Sequence, residues 1–204
     1  MAATTLASNA ATTLLTETFG STTQNPMVSP STTTDAVWTY SGAGGANSSR
    51  LHNPGTGGAG TNSHGWISLV NGSTISSTIS LAAAGAEIAD TSTYTLTFFH
   101  GAETAAGAAV LGTVNVTSSA GSVSFVSGSN GDSSQTITGF GDTTTGGNGG
   151  TSLASRSFTY TFTTSGVSST DTLDISLTRA VGSPGGSFSI YDNIGLEVVP
   201  VPEP

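Results

Sequence analysis

The chain alternates apolar and polar residues over many short stretches. In STYTLTFFHGA, residues 92–102, Tyr94, Leu96 and Phe98 fall on one face, and threonines occupy positions on the other. Residues 187–199 end on the same pattern, with an apolar residue at every second position. A period of two is that of a β-strand with one buried face, so these stretches predict strands of a half-buried sheet.

About ten such segments follow one another with turn residues between them, and none has a convincing helical period. Residues 82–90 are helix-like, but so short a segment is not stable as an isolated helix, and we expect a connection there. The glycine-rich stretches 41–65 and 141–150 are predicted to be loops. The expected strands are residues 13–19, 36–40, 66–70, 74–81, 92–102, 110–117, 122–126, 135–140, 157–165, 172–180 and 187–199.

This succession of short strands predicts an all-β fold, an antiparallel β-sandwich or barrel formed by a single domain at residues 13–199. The period alone leaves open whether a sandwich of this kind is a jelly roll or immunoglobulin-like. Residues 1–12 are expected to form a disordered N-terminal segment. At the other end, Pro200 and Pro202 cannot donate to a sheet and favour extended backbone before them, so the sheet must end there.

Composition narrows the classes of function. Serine and threonine make up 68 of the 204 residues, 7% of the residues are charged, and the formal net charge is −9. The chain has three arginines and no lysine, which excludes the basic face that nucleic acid or an anionic lipid surface requires. It has no cysteine, which excludes disulfides, thiolate chemistry and cysteine-type zinc sites. Abundant hydroxyl side chains are typical of a protein that works outside the cell.

Two longer stretches resemble a known family. The first contains HGWISLVNGSTISSTISL and TSTYTLTFFHGA, and the second contains FTYTFTTS and TLDISLTRAVGSPGGSFSIYDNIGLEVVPVPEP. Together, over roughly residues 66–204, they resemble exported bacterial proteins that carry a PEP-CTERM sorting signal. Many of these proteins place a jelly-roll domain, similar to carbohydrate-binding modules, before the signal. The resemblance therefore implies a galactose-binding-like jelly roll located at the cell surface or outside the cell.

The family's sorting signal begins with Val-Pro-Glu-Pro, which stands here at residues 201–204. In the family a membrane-spanning helix and a basic end follow, and a membrane protease-transpeptidase processes the region. Residues 200–204 are thus expected to be the start of a truncated PEP-CTERM tail, with the sorting transpeptidase as a partner of the full-length form. The start of the chain lacks the basic and apolar regions of a signal peptide, so we expect that Met1 was added after the signal peptide was removed.

The resemblance also implies a metal site. In galactose-binding-like jelly rolls the first and last strands are often neighbours, with a structural calcium beside them, and here these strands carry Glu17 and Asp192. Calcium takes about six to eight oxygen ligands, from carboxylates and carbonyls. The expected cofactor is therefore a structural calcium held by Glu17 and Asp192. The alternative is that Asp192 caps a bulge by accepting local amide hydrogen bonds and that Glu17 is solvated.

A second group of residues has the composition of a sugar-binding surface. Trp38 and Tyr40 share a face of one predicted strand, and aromatic rings pack on the C–H faces of sugars. Arg50 and His52 lie in the predicted loop 41–65 and supply donors for hydroxyl or carboxylate groups. We predict that these four residues bind an extracellular polysaccharide. The alternatives are that the tryptophan belongs to the core and that Arg50 and His52 are ordinary polar loop residues.

No constellation of catalytic residues stands out. The closest carboxylate pairs are Glu87 with Asp90 and Asp171 with Asp174, in a connection and at a strand start. There is no G-x-S-x-G elbow, no lysine-containing phosphate loop and no zinc-type histidine spacing. We therefore expect no enzyme activity.

Two functions are consistent with these sequence features. One is a polysaccharide-binding module of the cell surface or extracellular matrix, which requires an exposed aromatic side chain in a groove. The other is a purely structural envelope or biofilm protein without a defined ligand, which requires buried tryptophans and no groove, with assembly through strand edges as one consequence.

Overall fold

The structure is a computed structural model, and it describes residues 10–19, 31–32, 36–42, 50–52, 66–70, 72–88, 92–102, 110–126, 134–138, 156–181 and 189–199. Within these ranges it contains thirteen strands and one 3₁₀ helix, Leu81–Glu87. The strands are β1 (Thr12–Glu17), β2 (Ser31–Thr32), β3 (Val37–Ser41), β4 (Arg50–His52), β5 (Trp66–Leu69), β6 (Thr74–Ser80), β7 (Thr93–Ala102), β8 (Val110–Ser118), β9 (Ser122–Phe125), β10 (Ser134–Thr138), β11 (Arg156–Ser165), β12 (Thr172–Arg179) and β13 (Ser189–Val199).

The strands form two antiparallel sheets, which confirms the predicted all-β sandwich. The first sheet has the order β4-β5-β13-β7-β11-β9, with β1 also paired to β13, and the second has the order β10-β8-β12-β6-β3-β2. From β5 to β13, every connection along the chain passes from one sheet to the other. The central orders β5-β13-β7-β11 and β6-β12-β8-β10 are those of a jelly roll, in which Greek-key connections wind the chain around both sheets.

The inner faces of both sheets carry the apolar residues that the alternation predicted. On β7, Tyr94, Leu96 and Phe98 are buried, and the threonines between them are only partly buried. In the first sheet the rings of Tyr94 and Phe162 stack with 5.0 Å between their centroids. The second sheet contributes aliphatic side chains such as Ile175 of β12. Each such side chain contributes roughly 1.5–3 kcal/mol on burial, and together they hold the two sheets face to face.

The strand β13 pairs with two different strands on one of its sides and changes its inward face midway. Its first residues pair with β5, whereas its last residues pair with β1, and both partners lie on the side opposite β7. The register with β7 shifts between Asp192 and Gly195, and Asn193 has a left-handed backbone with φ of 48°. This bulge moves the inward positions from odd residues such as Tyr191 to even residues such as Ile194. The predicted inward face of Ile194, Leu196 and Val198 is confirmed.

The structure differs from the sequence-based expectation in the short elements. The predicted connection at 82–90 begins with the 3₁₀ helix, whose first turn is capped by Ser80 accepting a hydrogen bond from the Ala82 N–H at 3.3 Å. The strands β2 and β4 fall where turns and loops were expected. Strand β1 begins at Thr12, the last residue of the segment expected to be disordered; residues 1–9 and the tail 200–204 lie outside the described residues. None of the helical turns in the described ranges is long and apolar enough to cross a bilayer.

Candidate functional site

Glu17, the last residue of β1, is a fully buried carboxylate that connects the two sheets. Its Oε2 accepts a hydrogen bond from the indole Nε1–H of Trp38 at 2.9 Å, and its Oε1 accepts one from the backbone N–H of Phe19 at 2.5 Å. Phe19 turns the chain with a φ of 56°, and its ring packs on Trp38 with 5.7 Å between the ring centroids. Glu17 is therefore a structural group of the interior, and the alternative of a solvated strand residue is excluded.

Asp192 is the second buried carboxylate, and it lies in the bulge of β13. Its Oδ1 accepts a hydrogen bond from the backbone N–H of Asn193 at 2.7 Å, whereas its Oδ2 is buried with no hydrogen-bond partner. Burial raises the pKa of Asp192 to about 7; the negative charge of Glu17 also raises it, and the Asn193 N–H opposes the rise. The register of β1 with β13 pairs Glu17 with Ile194, two residues beyond Asp192, so the two buried carboxylates lie on neighbouring strands near the bulge.

This pair has the chemistry of a hard-cation site. A buried carboxylate oxygen without a donor is costly, and a cation that shares it with Glu17 removes that cost. The two non-glycine residues with positive φ in the described ranges, Phe19 and Asn193, each lie within two residues of one of these carboxylates. No group of three or more histidine, cysteine or acidic side chains gathers in the part of the chain that the structure describes. A calcium ion here would therefore take its other ligands from carbonyls or water, which calcium accepts.

The predicted aromatic ligand site is wrong for Trp38. Its side chain is fully buried, it donates to Glu17, and its ring packs on Phe19 inside the sandwich. A tryptophan in this position has no free face to offer a sugar ring. Tyr40 is only half-buried; its hydroxyl lies 3.3 Å from Ser73 Oγ, and its ring packs against the core. A ligand role for Tyr40 remains a prediction.

Arg50 and His52 lie on a different sheet from the two aromatic residues. Both belong to β4, an edge strand of the first sheet, where Arg50 pairs with Ser68 and His52 pairs with Trp66. Trp38 and Tyr40 belong to β3 of the second sheet. The strand order therefore does not unite the four predicted residues on one pair of neighbouring strands. The side chains of Arg50 and His52 lie outside the described part of the structure, and their binding role remains a prediction.

A buried polar cluster went unrecognised in the sequence. Arg179 of β12, His100 of β7, and Ser189 and Tyr191 of β13 are all fully buried. The signal was present in the alternation of TLDISLTR, because Arg179 occupies the inward position that follows Leu177. An arginine at such a position is rare unless the interior supplies partners for its guanidinium.

Comparisons with known proteins give distant structural likenesses. No protein-family model matches the chain, and no curated protein matches it. Among solved structures, the Stig cyclase FisC from Fischerella sp. TAU is 13% identical, with a TM-score of 0.45 over 80% of this chain and 85% of the cyclase. The K1 cleaved adhesin domain of Lys-gingipain from Porphyromonas gingivalis W83 is 17% identical, with a TM-score of 0.40 over 92% of this chain and 97% of the adhesin domain.

These likenesses correct one expectation. The absence of enzyme activity, which the sequence led us to expect, is contradicted, because two of the similar structures are cyclases from Fischerella sp. TAU. The expectation is withdrawn. No cyclase chemistry is assigned in its place, because so distant a likeness transfers no function.

The raised pKa of Asp192 predicts a distinctive pH dependence in the presence of a chelator. The carboxyl of Asp192 keeps its proton up to about pH 7 in the folded protein, whereas in the unfolded chain it loses the proton near pH 3.8. The protonated carboxyl therefore stabilises the folded state fully below pH 3.8, and this stabilisation is lost as the pH rises through 7. Burial lowers the pKa of His100, and the charge of Arg179 acts in the same direction, so that this pKa is about 3. The contribution of His100 to folding stability therefore increases with pH over part of this range, opposite to that of Asp192. We therefore expect the difference in unfolding free energy between the parent and Asp192→Asn to change by up to about 1.4 kcal/mol per pH unit between pH 4 and 7.

Urea denaturation of both proteins at a series of pH values measures this difference. The subtraction removes the contribution of His100, which the two proteins share. Glu197→Gln, at an exposed position of the same strand, is the matched control and should follow the parent at every pH. A pH-independent difference between the parent and Asp192→Asn would show that Asp192 is ionised in the folded protein.

Proposed function

We propose that this chain is a structural domain of an exported bacterial protein that works at the cell surface or in the extracellular matrix. The observation that carries the proposal is the division between a closed interior and a hydroxyl-covered exterior. The largest aromatic side chains that the structure describes, including Trp38, Tyr94 and Tyr191, point into the core. The burial of Trp38 favours the structural alternative over binding through an aromatic platform.

The outer face of the second sheet carries short polar side chains in register across four strands. Neighbouring strands lie about 4.8 Å apart, and successive outward residues of one strand are about 6.7 Å apart, so the side chains form a regular grid. The first rank is Ser41, Thr74, Thr178 and Thr113, and the second is Thr39, Ser76, Ser176 and Asn115. Thr74 and Thr178 hydrogen-bond to each other at 2.7 Å. This surface stays hydrated with few charges, which suits a module of a polymer-rich extracellular layer.

The tail of the chain supports export. Val-Pro-Glu-Pro, residues 201–204, stands directly after the last strand, in the position that the PEP-CTERM sorting signal has in the family that the sequence resembles. The proposed partner of the full-length form is accordingly a membrane transpeptidase that processes this signal. The low charge and the absence of cysteine are compatible with this location.

Export is tested in the source cells with an antibody against the folded domain. We expect the protein in the envelope and matrix fractions, and we expect replacement of Pro202, Glu203 and Pro204 by alanine in the full-length form to remove most of the surface signal. Glu197→Ala, which changes an exposed carboxylate a few residues earlier, should leave the surface signal unchanged. A cytoplasmic location of the unmodified protein would contradict the proposal.

We further propose that Glu17 and Asp192 hold a structural calcium ion. The ion would neutralise two carboxylates that the fold buries together, and it would fix the end of β1 against the bulge of β13. Its role is to stabilise the sandwich in an extracellular setting, where calcium is abundant. The proposal is supported by the buried Asp192 Oδ2 without a hydrogen-bond partner.

Calcium is therefore expected to raise the melting temperature relative to a chelator. A ligand that binds only the folded state at a hundred times its dissociation constant adds about 2.7 kcal/mol to the unfolding free energy. Differential scanning calorimetry with calcium, magnesium or chelator measures the effect. The gain should be lost in Asp192→Asn and retained in Asp174→Asn, which changes an exposed carboxylate of the second sheet. Equal melting temperatures in calcium and chelator would refute the site without affecting the proposed location.

A second candidate function is the binding of a neutral polysaccharide through the grid of hydroxyls on the second sheet. The described outward charges on this sheet and on β13 include Asp174 and Glu197, so an anionic polymer would be repelled. A neutral polymer offers hydroxyls that can exchange hydrogen bonds with the ranks of threonine and serine. The observation favouring this candidate is the register of Thr74, Thr178 and Thr113 across three neighbouring strands.

Affinity electrophoresis in gels containing a neutral glucan or an anionic polyuronate tests this candidate. We expect retardation by the glucan alone, weakened about thirtyfold when Thr113 and Thr178 are both replaced by valine, since each lost hydrogen bond is worth about 1 kcal/mol and 1.4 kcal/mol is a factor of about ten. The matched control replaces Thr95 and Thr97 by valine on the outer face of the first sheet. If no neutral polysaccharide retards the protein in the gel, the binding candidate is wrong and the purely structural function is the one that is kept.

A further inference from the structure

The last strand leaves the sandwich at an end where several other strands of the first sheet also begin or finish. Val199, the final residue of β13, pairs with Thr93, the first residue of β7, and Val198 pairs with Thr12, the first residue of β1. Strand β11 finishes here as well, because Thr163 also pairs with Thr93. We call this side of the sandwich, defined by Thr12, Thr93 and Val199, the exit end.

Three short connections cross between the sheets at the exit end. In the second sheet, Thr172 of β12 pairs with Ser80 of β6, and Leu173 pairs with Ser118 of β8, so β6 and β8 finish where β12 begins. The chain between these strand ends and the first sheet is short in each case. The connections are residues 81–92, of which 81–88 and 92 are described, residues 119–121 and residues 166–171.

Hydrogen bonds join these connections into one surface. The Leu81 N–H donates to the carbonyl oxygen of Asp171 at 3.1 Å, so the 3₁₀ helix is tied to the turn 166–171. Ser119 donates from its hydroxyl to Asp171 Oδ1 at 3.2 Å and from its N–H to the carbonyl oxygen of Thr172 at 3.0 Å. Because these bonds join residues that are far apart in the sequence, they fix the three connections relative to one another.

The surface of the exit end is low as well as fixed. A Cβ built on Gly121 would lie 2.0 Å from the Ser165 carbonyl oxygen, and Gly166 has a left-handed φ of 72°, so the two turns touch through their backbones. A partner can therefore approach this backbone closely without displacing long side chains. The exposed residues described in the three connections are all small: Ala82, Ala83, Ser119, Gly121, Gly166, Ser168 and Thr170.

The proposed sorting motif stands directly beyond this surface. One residue, Pro200, separates Val199 from Val-Pro-Glu-Pro at residues 201–204. Prolines favour extended backbone, so the sequence predicts a stiff tail that rises about 3.1 Å per residue and reaches about 16 Å in five residues. Even a small folded domain is about 30 Å across. A protein that grips the motif therefore has to approach closer than its own width, and it contacts the exit end.

We infer that the exit end is the docking surface for the membrane transpeptidase; the inference rests on the proposed function, in which that enzyme processes the tail. The turns 119–121 and 166–171 would lie against the enzyme while the tail enters its active site. A surface that is already fixed by hydrogen bonds loses little conformational entropy on binding. The domain would stand with its exit end toward the membrane and with Val181, at the opposite end of β12, pointing away.

Thiol-to-amine crosslinking of the full-length form in the envelope of the source cells tests the inference. The 204 residues contain neither cysteine nor lysine, so one introduced cysteine is their only thiol, and their side chains offer no amine. Thr170→Cys places the thiol on the exit end, and Val181→Cys, at an exposed residue beyond the other end of β12, is the matched control. The eight residues of β12 separate the two thiols by about 26 Å, which a short reagent does not bridge.

We expect about tenfold more adduct with the transpeptidase, identified by mass spectrometry, from Thr170→Cys than from Val181→Cys, because the local concentration of its amines falls with distance. A spacer gives a second measurement. Ten glycine and serine residues inserted between Val199 and Pro200 add a flexible reach of about 17 Å. The Thr170→Cys adduct should then fall severalfold, while the surface signal of the protein stays at the parent level.

The surface signal of every variant is recorded in parallel, which separates the docking surface from export itself. With a normal surface signal, three results would overturn the inference: equal adducts from the two cysteine positions, an adduct with a different envelope protein or none, and an adduct that the spacer leaves undiminished. A parent protein without any surface signal would contradict the proposed function, and the inference with it.

Discussion

The bulge of β13 at Asp192 and Asn193 is the constraint on which the rest of the structure depends. Because β13 lies beside β7 along its whole length, one residue of slippage in the middle is enough to exchange its inward and outward faces. The first half then presents Tyr191 to the interior and pairs with β5, while the second half presents Ile194 and pairs with β1. One strand thereby pairs with both β5 and β1 on the same side, and the carboxylate of Asp192 is buried at the point where the faces exchange.

Two clusters of buried polar side chains in the described ranges lie at and just before that bulge. At the bulge lies Asp192, and on the neighbouring strand lies Glu17, whose oxygens accept hydrogen bonds from Trp38 and Phe19. Before the bulge, the ring of Tyr191 packs edge-on against His100, and Arg179 donates a hydrogen bond to Ser189. Charges are rarely left in a protein interior without compensation, because desolvation costs several kcal/mol for each ion. Compensation for the buried Asp192 Oδ2, which has no hydrogen-bond partner in the structure, is what the proposed calcium ion would supply.

The sequence predicted the strands well, because alternation is a local property that every exposed sheet face imposes on its residues. Strands such as β7 and β12 lie within one or two residues of the expected segments. The strands β2 and β4 were missed because two or three residues are too few to show a period. The pairing of the first strand, which carries Glu17, with the last strand, which carries Asp192, was accessible only through the resemblance to jelly rolls. The ligand role of Trp38 was wrong because composition cannot tell a ring on the core from a ring in a groove.

The low charge of the surface follows from the same architecture. A sandwich with both outer faces in water needs polar side chains at every second position of its strands, and threonine and serine meet that need while also favouring extended backbone. Hydroxyl pairs such as Thr74 and Thr178 add hydrogen bonds between strands that do not depend on ionic strength. A surface built in this way changes little with ionic strength, whereas a surface stabilised by ion pairs is weakened by salt screening. The hydroxyl faces therefore add contacts between strands that salt does not screen, while Glu17, Asp192 and Arg179 lie in the interior, where solvent screening is weak.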